Sequence, residues 1–178
     1  MSSQHRVSKY YYYYNDDNDD DSGGGGGVPG SLEESGWATT QYYATVSGNN
    51  IDIAAGNTAS RATLVPPAGS VHSSARFENG DVLKIAVKVK EVSGRVLMLL
   101  SDKTRAVFAS KTGLFTADSG NGYATETGSD VLTLTFSGNV TYLRIEARSA
   151  TGGTSSTMTA DLDITGLSIN GTVIYGKV

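Results

Sequence analysis

The sequence contains no cysteine, which excludes disulfides, thiolate metal centres and a cysteine nucleophile and leaves the redox compartment open. Histidine is nearly as scarce. His5 and His72 are the only imidazoles, and neither stands beside a nucleophile elbow or comparable catalytic motif. His72 lies in the turn-like stretch Ser70–Ser74, so the two read as an arm and a loop histidine, and no enzyme is expected. No run approaches the ~18 apolar residues of a membrane span. The opening residues MSSQHRVSKYYYYY carry charge and tyrosine where a secretory signal needs a continuous apolar segment. The expectation is a soluble protein made in the cytoplasm, with no membrane partner. A clustered basic stripe, which a polyanion partner requires, is also missing, so nucleic acid is not expected either.

What is present points to strands and turns. Only 18% of the 178 residues are charged, 38% are hydrophobic and 22 are glycine, while the helix-favouring Glu, Lys and Leu do not dominate. A folded unit of roughly 130 to 150 residues buries about two-thirds of its unfolded surface, enough for one core. The formal charge is −4, unevenly spread. Over residues 1–36, Arg6 and Lys9 stand against Asp16, Asp17, Asp19, Asp20, Asp21, Glu33 and Glu34, a balance of −5. The rest of the chain is near neutral.

Residues 1–35 read as a low-complexity N-terminal arm: Tyr10 to Tyr14, then the acidic run Asn15 to Asp21, then Gly23 to Gly27. Like charges repel and glycine loses the most entropy on ordering, so this segment has no means of folding by itself. The tyrosines Tyr10, Tyr11, Tyr12, Tyr13 and Tyr14 offer amphipathic area at small entropic cost and suit docking onto a partner surface. In EF-hand spacing from Asp17, Ser22 falls where the loop glycine belongs and Val28 where the bidentate glutamate belongs, so the acidic run reads as a solvated tether.

Residues 36–178 alternate. Leu83, Ile85, Val87 and Val89 point one way and Lys84, Lys88 and Lys90 the other. Leu132, Leu134 and Phe136 are expected inward against Thr133 and Thr135, and Leu143, Ile145 and Ala147 inward against Arg144, Glu146 and Arg148. Ser137-Gly138-Asn139 between them reads as a hairpin turn. Weaker strands are expected at Thr39–Val46, Asn50–Ala54, Ala59–Val65, Arg95–Leu100, Arg105–Ala109 and Gly113–Ala117. Met158, Ala160, Leu162 and Ile164 alternate with Thr159, Asp161 and Asp163, and Asn170-Gly171 turns a terminal hairpin after Ile169. About nine or ten short strands without βαβ alternation predict a sandwich.

From Ser35-Gly36-Trp37, through Phe77-Glu78-Asn79-Gly80-Asp81 and its long strand, to the close at Asp163-Ile164-Thr165-Gly166-Leu167-Ser168-Ile169, the chain resembles the carbohydrate-binding-module-like, galactose-binding-like jelly rolls of phage virion proteins. The resemblance spans roughly residues 36–169 and implies an all-β jelly-roll β-sandwich. It implies a virion structural protein, assembled in the host cytoplasm: a capsid decoration or head-fibre protein in many copies, with neighbouring virion proteins, above all the major capsid protein, as partners. The alternative is a tail or receptor-binding component whose jelly roll recognises a host glycan. Tyr42, Tyr43, Tyr123 and Tyr142 are the glycan-contact candidates. Trp37 joins the arm tyrosines as a docking candidate or anchors the arm's root in the core. No cofactor is expected. Asp161 and Asp163 resemble positions that hold a structural ion, such as calcium, in such folds, but read more simply as surface carboxylates.

Overall fold

The structure is a computed structural model that describes residues 29–55, 60–64, 77–100, 106–118, 121–140, 142–148 and 157–178. Among them are thirteen strands and no helix: β1 (Ala38–Tyr42), β2 (Ala44–Ser47), β3 (Asn50–Ile53), β4 (Arg61–Leu64), β5 (Val82–Val92), β6 (Arg95–Leu100), β7 (Ala106–Ser110), β8 (Thr116–Asp118), β9 (Asn121–Ala124), β10 (Gly128–Phe136), β11 (Leu143–Arg148), β12 (Ala160–Ile169) and β13 (Thr172–Gly176). They form two antiparallel sheets. One runs β1-β4-β11-β6-β9-β8 and the other β2-β3-β12-β5-β10-β7, with β13 paired to β12. From β3 to β8 every successive strand changes sheet, as does every step from β9 to β12. The result is an all-β sandwich wound in the manner of a jelly roll.

Period-two alternation places the core between the sheets. Leu83, Ile85, Val87 and Val89 are buried while Lys84, Lys88 and Lys90 are exposed. Leu134 is inward and lies in register with Leu83 on one side and Phe108 on the other. Trp37 packs at 6.0 Å against Phe77, which stacks at 4.7 Å on Phe136. The terminal hairpin forms as expected: Asn170 and Gly171 adopt φ of 51° and 80°, the left-handed pair of a type I′ turn.

Three expectations of the fold need correction, and one strand has no counterpart among them. Thr39–Val46 is not one strand, because Tyr43 takes φ 50° and its carbonyl accepts the Ala54 amide at 2.9 Å. The chain breaks there, leaving β1 in one sheet and β2 in the other. Ser137–Asn139 does not turn a hairpin either. Both edges of β10 are already filled by β5 and β7, so the chain crosses to the opposite sheet. Strand β9 escapes pattern reading because Gly122 stands where Phe108's ring fills the space a Cβ would occupy, leaving no side chain to mark the period. Finally, the packed unit starts before residue 36: Leu32 is fully buried, and its amide donates to Asn49 Oδ1 at 3.1 Å. The last residues assigned to the arm thus belong to the sandwich.

Candidate functional site

Strand register assembles one continuous surface row from distant parts of the chain. Tyr42 pairs with Arg61, Arg61 with Glu146, Glu146 with Leu97, Leu97 with Tyr123, and Tyr123 with Thr116. The row crosses all six strands, and its described side chains lie on the sheet's outer side, because Ala62, Val96, Met98, Ala124 and Ile145 take the inner one. At ~4.8 Å per strand, Tyr42 and Tyr123 stand about 19 Å apart. Arg148 and Arg95 pair in the adjoining row, and Arg144 follows on the other side.

Glu146 organises this face. It was expected at the surface, yet only 3% of it remains exposed, because two arginines fold over it. Arg148 donates from Nη2 at 2.7 Å and Nε at 2.9 Å to Glu146 Oε2. Arg144 Nε lies 3.3 Å from Oε1, close enough to pair as an ion but out of line for a hydrogen bond. Three guanidiniums also cap tyrosine rings: Arg61 lies 5.4 Å from the Tyr42 centroid, Arg95 4.8 Å from Tyr123, and Arg144 5.1 Å from Tyr142. Such contacts contribute about 0.5–1 kcal/mol each where water reaches them. Arg95 Nε is buried without a hydrogen-bond partner among the described residues.

Chemically, the face is fitted for binding. Guanidinium stays protonated at any ordinary pH and offers five donors in a planar fork, so these arginines hold fixed positive charge and do not shuttle protons. Four of them stand against one carboxylate among the described side chains of the face. On the opposite sheet, Lys84, Lys88 and Lys90 share the outer side with Asp52, Glu91, Asp161 and Asp163, so no positive surplus stands there among the described residues.

Of the residues singled out from the sequence, Tyr42, Tyr123 and Tyr142 come together on this face. Tyr43 sits at its margin, edge-on to Tyr42 with centroids 5.0 Å apart. Trp37 is not presented to a partner. It is 2% exposed, an anchor at the arm's root and part of the core, because Phe77 and the sheets close around it. Tyr10 to Tyr14, the run Asn15 to Asp21, His5 and His72 lie outside the described residues. Asp161 and Asp163 do converge, but on an ammonium: Lys90 Nζ is 3.0 Å from both Oδ1 atoms, and Asn50 Nδ2 donates to the same two oxygens. The bonds to Asp161 and Asp163 raise the pKa of Lys90. Burial raises that of Asp163, but the Asn50 bond and Lys90 outweigh it and leave it low. Among the described residues no group of three or more His, Cys, Asp or Glu is placed to hold a metal.

The arginines and Glu146 were not recognised as a site from sequence. The spacing Arg144-x-Glu146-x-Arg148 carried a signal for a salt-linked stripe; Arg61 and Arg95 carried none, since only register brings them alongside. Comparison with known proteins finds no matching family model, no matching curated protein and no matching solved structure. Fold and face together define a β-sandwich module with one cationic, aromatic sheet face.

Proposed function

We propose that this protein is a non-catalytic structural protein of a phage particle, a capsid decoration or head-fibre protein fastened by its N-terminal arm to neighbouring virion proteins. The observation that carries the reading is the division of labour along the chain. The described core runs from Leu32 to Tyr175, whereas the tyrosine, aspartate and glycine blocks of residues 10–27 carry no alternating apolar pattern from which a core strand is built and suit a partner instead. A self-sufficient sandwich with a sticky, tethered peptide is a design suited to standing on a shell in many copies, where avidity multiplies weak contacts. The test is to add full-length protein, and protein lacking residues 1–28, to particles stripped of it and to count bound copies.

A second reading, a tail or receptor-binding component that grips a host glycan, gains support from Tyr42, Tyr123 and Tyr142 sharing one face. Their rings are capped by guanidiniums, which disfavours open stacking on a neutral sugar. Calorimetry against host glycans is expected to find at most millimolar binding, about −4 kcal/mol. Submicromolar recognition of one glycan would place this reading first.

A further inference from the structure

We propose that the arginine–tyrosine face is the docking site for the acidic segment Asn15–Asp21 of the same chain, so that the arm is seated across the six-stranded sheet. This does not rest on the attachment reading, which assigns the grip on neighbours to Tyr10 to Tyr14.

Charge complementarity selects the occupant. Residues 15–21 are Asn-Asp-Asp-Asn-Asp-Asp-Asp, five carboxylates with no cation. The surplus of positive charge among the described sheet faces lies on one of them, where Arg61, Arg95, Arg144 and Arg148 outnumber Glu146. Arg95 supplies an independent pointer. Among the described residues it caps the Tyr123 ring at 4.8 Å, and its buried Nε has no acceptor there. A guanidinium pairs carboxylates through two parallel bonds, which an aspartate-rich strand provides repeatedly.

Reach agrees. Asp21 and Pro29 are separated by Ser22, five glycines and Val28, and eight residue steps span up to about 27 Å extended and about 16 Å as a glycine-rich coil. The root lies beside the β2–β3 turn of the seven-stranded sheet, where Glu33 N donates to Gly48 O at 3.0 Å, and five residues later the chain enters β1, an edge strand of the six-stranded sheet. From Ala38 to the row at Tyr42 is about 13 Å along β1, and from β1 to β11 is two strand spacings, about 10 Å, distances that residues 15–21 cover together with the linker. Tethering at this length gives an effective concentration in the millimolar class, favouring the chain's own segment over a free copy's.

Because the chain has no cysteine, Ser22→Cys carries a spin label at one defined place in the full-length protein. At low ionic strength, the label is expected to broaden the backbone amides of Arg61, Arg144 and Tyr123 while sparing Lys84 and Lys88 on the opposite sheet. Replacing the five aspartates of residues 15–21 by asparagine, a change outside the described core, should abolish that broadening, as should Arg61→Gln with Arg95→Gln. Broadening that is equal on both faces, or that survives the aspartate replacement, overturns the proposal. So does broadening seen only when labelled and isotope-enriched copies are mixed, which assigns the contact to a second copy. An anionic oligosaccharide such as oligogalacturonate separates the remaining alternative: docking predicts that it binds the face more tightly once the aspartates are neutralised, and unchanged affinity contradicts docking.

Discussion

Replacing Glu146 by glutamine keeps the shape of the side chain and removes its charge, which isolates what the carboxylate does for the arginine face. In the folded protein Glu146 accepts two bonds from Arg148, at 2.7 and 2.9 Å, and pairs with Arg144 at 3.3 Å. Removing one partner of a fully buried ion pair costs about 3–5 kcal/mol, because the remaining charge is stranded. Here the Arg144 and Arg148 side chains keep 28% and 27% exposure, so water takes up part of that charge. The expected loss is then about 2 kcal/mol for Glu146→Gln and about 3 kcal/mol for Glu146→Ala. At ~2–4 °C per kcal/mol for a domain of this size, Tm should fall by about 4–8 °C for the glutamine variant. The cause should also be visible in salt. With the carboxylate gone, four guanidiniums repel one another across a face that solvent reaches. Raising ionic strength to about 0.5 M, which shortens the screening length below 5 Å, should recover part of the deficit. Scanning calorimetry of both chains at low and high salt measures this directly. An unchanged Tm for Glu146→Gln at both ionic strengths would refute the assignment of Glu146 as the residue that holds the face together.

Other outcomes follow from the core and its loops. Leu134→Asp should unfold the sandwich, since it sets an unpaired carboxylate into a fully buried position at a cost of several kcal/mol, about 4 or more. The exposed neighbour Thr135→Asp should cost about 0.5 kcal/mol or less, and thermal melts that rank the two the other way would contradict the assigned faces. Asp130, buried on β10 beside the loop that follows β7, accepts amides from Lys111 at 3.0 Å, Thr112 at 2.9 Å, Phe115 at 3.3 Å and Val131 at 2.8 Å, together with the Ser110 hydroxyl. Burial pushes its pKa up, but these bonds outweigh it and hold the carboxylate below its ordinary range. Its stabilisation is therefore complete above the unfolded-state value and lost as pH falls through the lowered folded one. Asp130→Asn should lower Tm at neutral pH and flatten its acid limb, and parallel Tm–pH curves for variant and wild type would show that the ionised form is not what organises the loop.

The strands that alternate cleanly were legible because their neighbours dictate two different faces. β5, β10, β11 and β12 each carry a run of buried aliphatics interleaved with lysine, threonine, arginine or aspartate, and their existence follows from period two alone. Sheet membership was not legible. Nothing local to Ser137-Gly138-Asn139 distinguishes a turn back from a crossing; the answer lies in β5 and β7 already flanking β10. Tyr43 hid its break because a tyrosine at positive φ is imposed by the surrounding structure, not preferred by the residue. The candidate face shows the same division. Its tyrosines drew notice as residue types, whereas Arg61, Arg95 and Glu146 become one site only through pairings between segments tens of residues apart. The burial of Glu146 is a consequence of that assembly, which a strand read in isolation does not contain.

The most direct test of attachment by the arm compares the full chain with one lacking residues 1–28. Residues 1–28 carry no alternating apolar pattern, so the two should melt within about 1–2 °C of each other, a difference well under 1 kcal/mol. Both are then added at equal concentration to particles stripped of the protein, and bound copies are counted by gel densitometry or cryo-imaging. If the tyrosines bury their rings on neighbouring subunits, each contributes on the order of 1–3 kcal/mol. The truncated chain should accordingly fall to background occupancy where the full chain saturates. Equal occupancy of the two forms would contradict the account, because the sandwich would then hold the particle by itself.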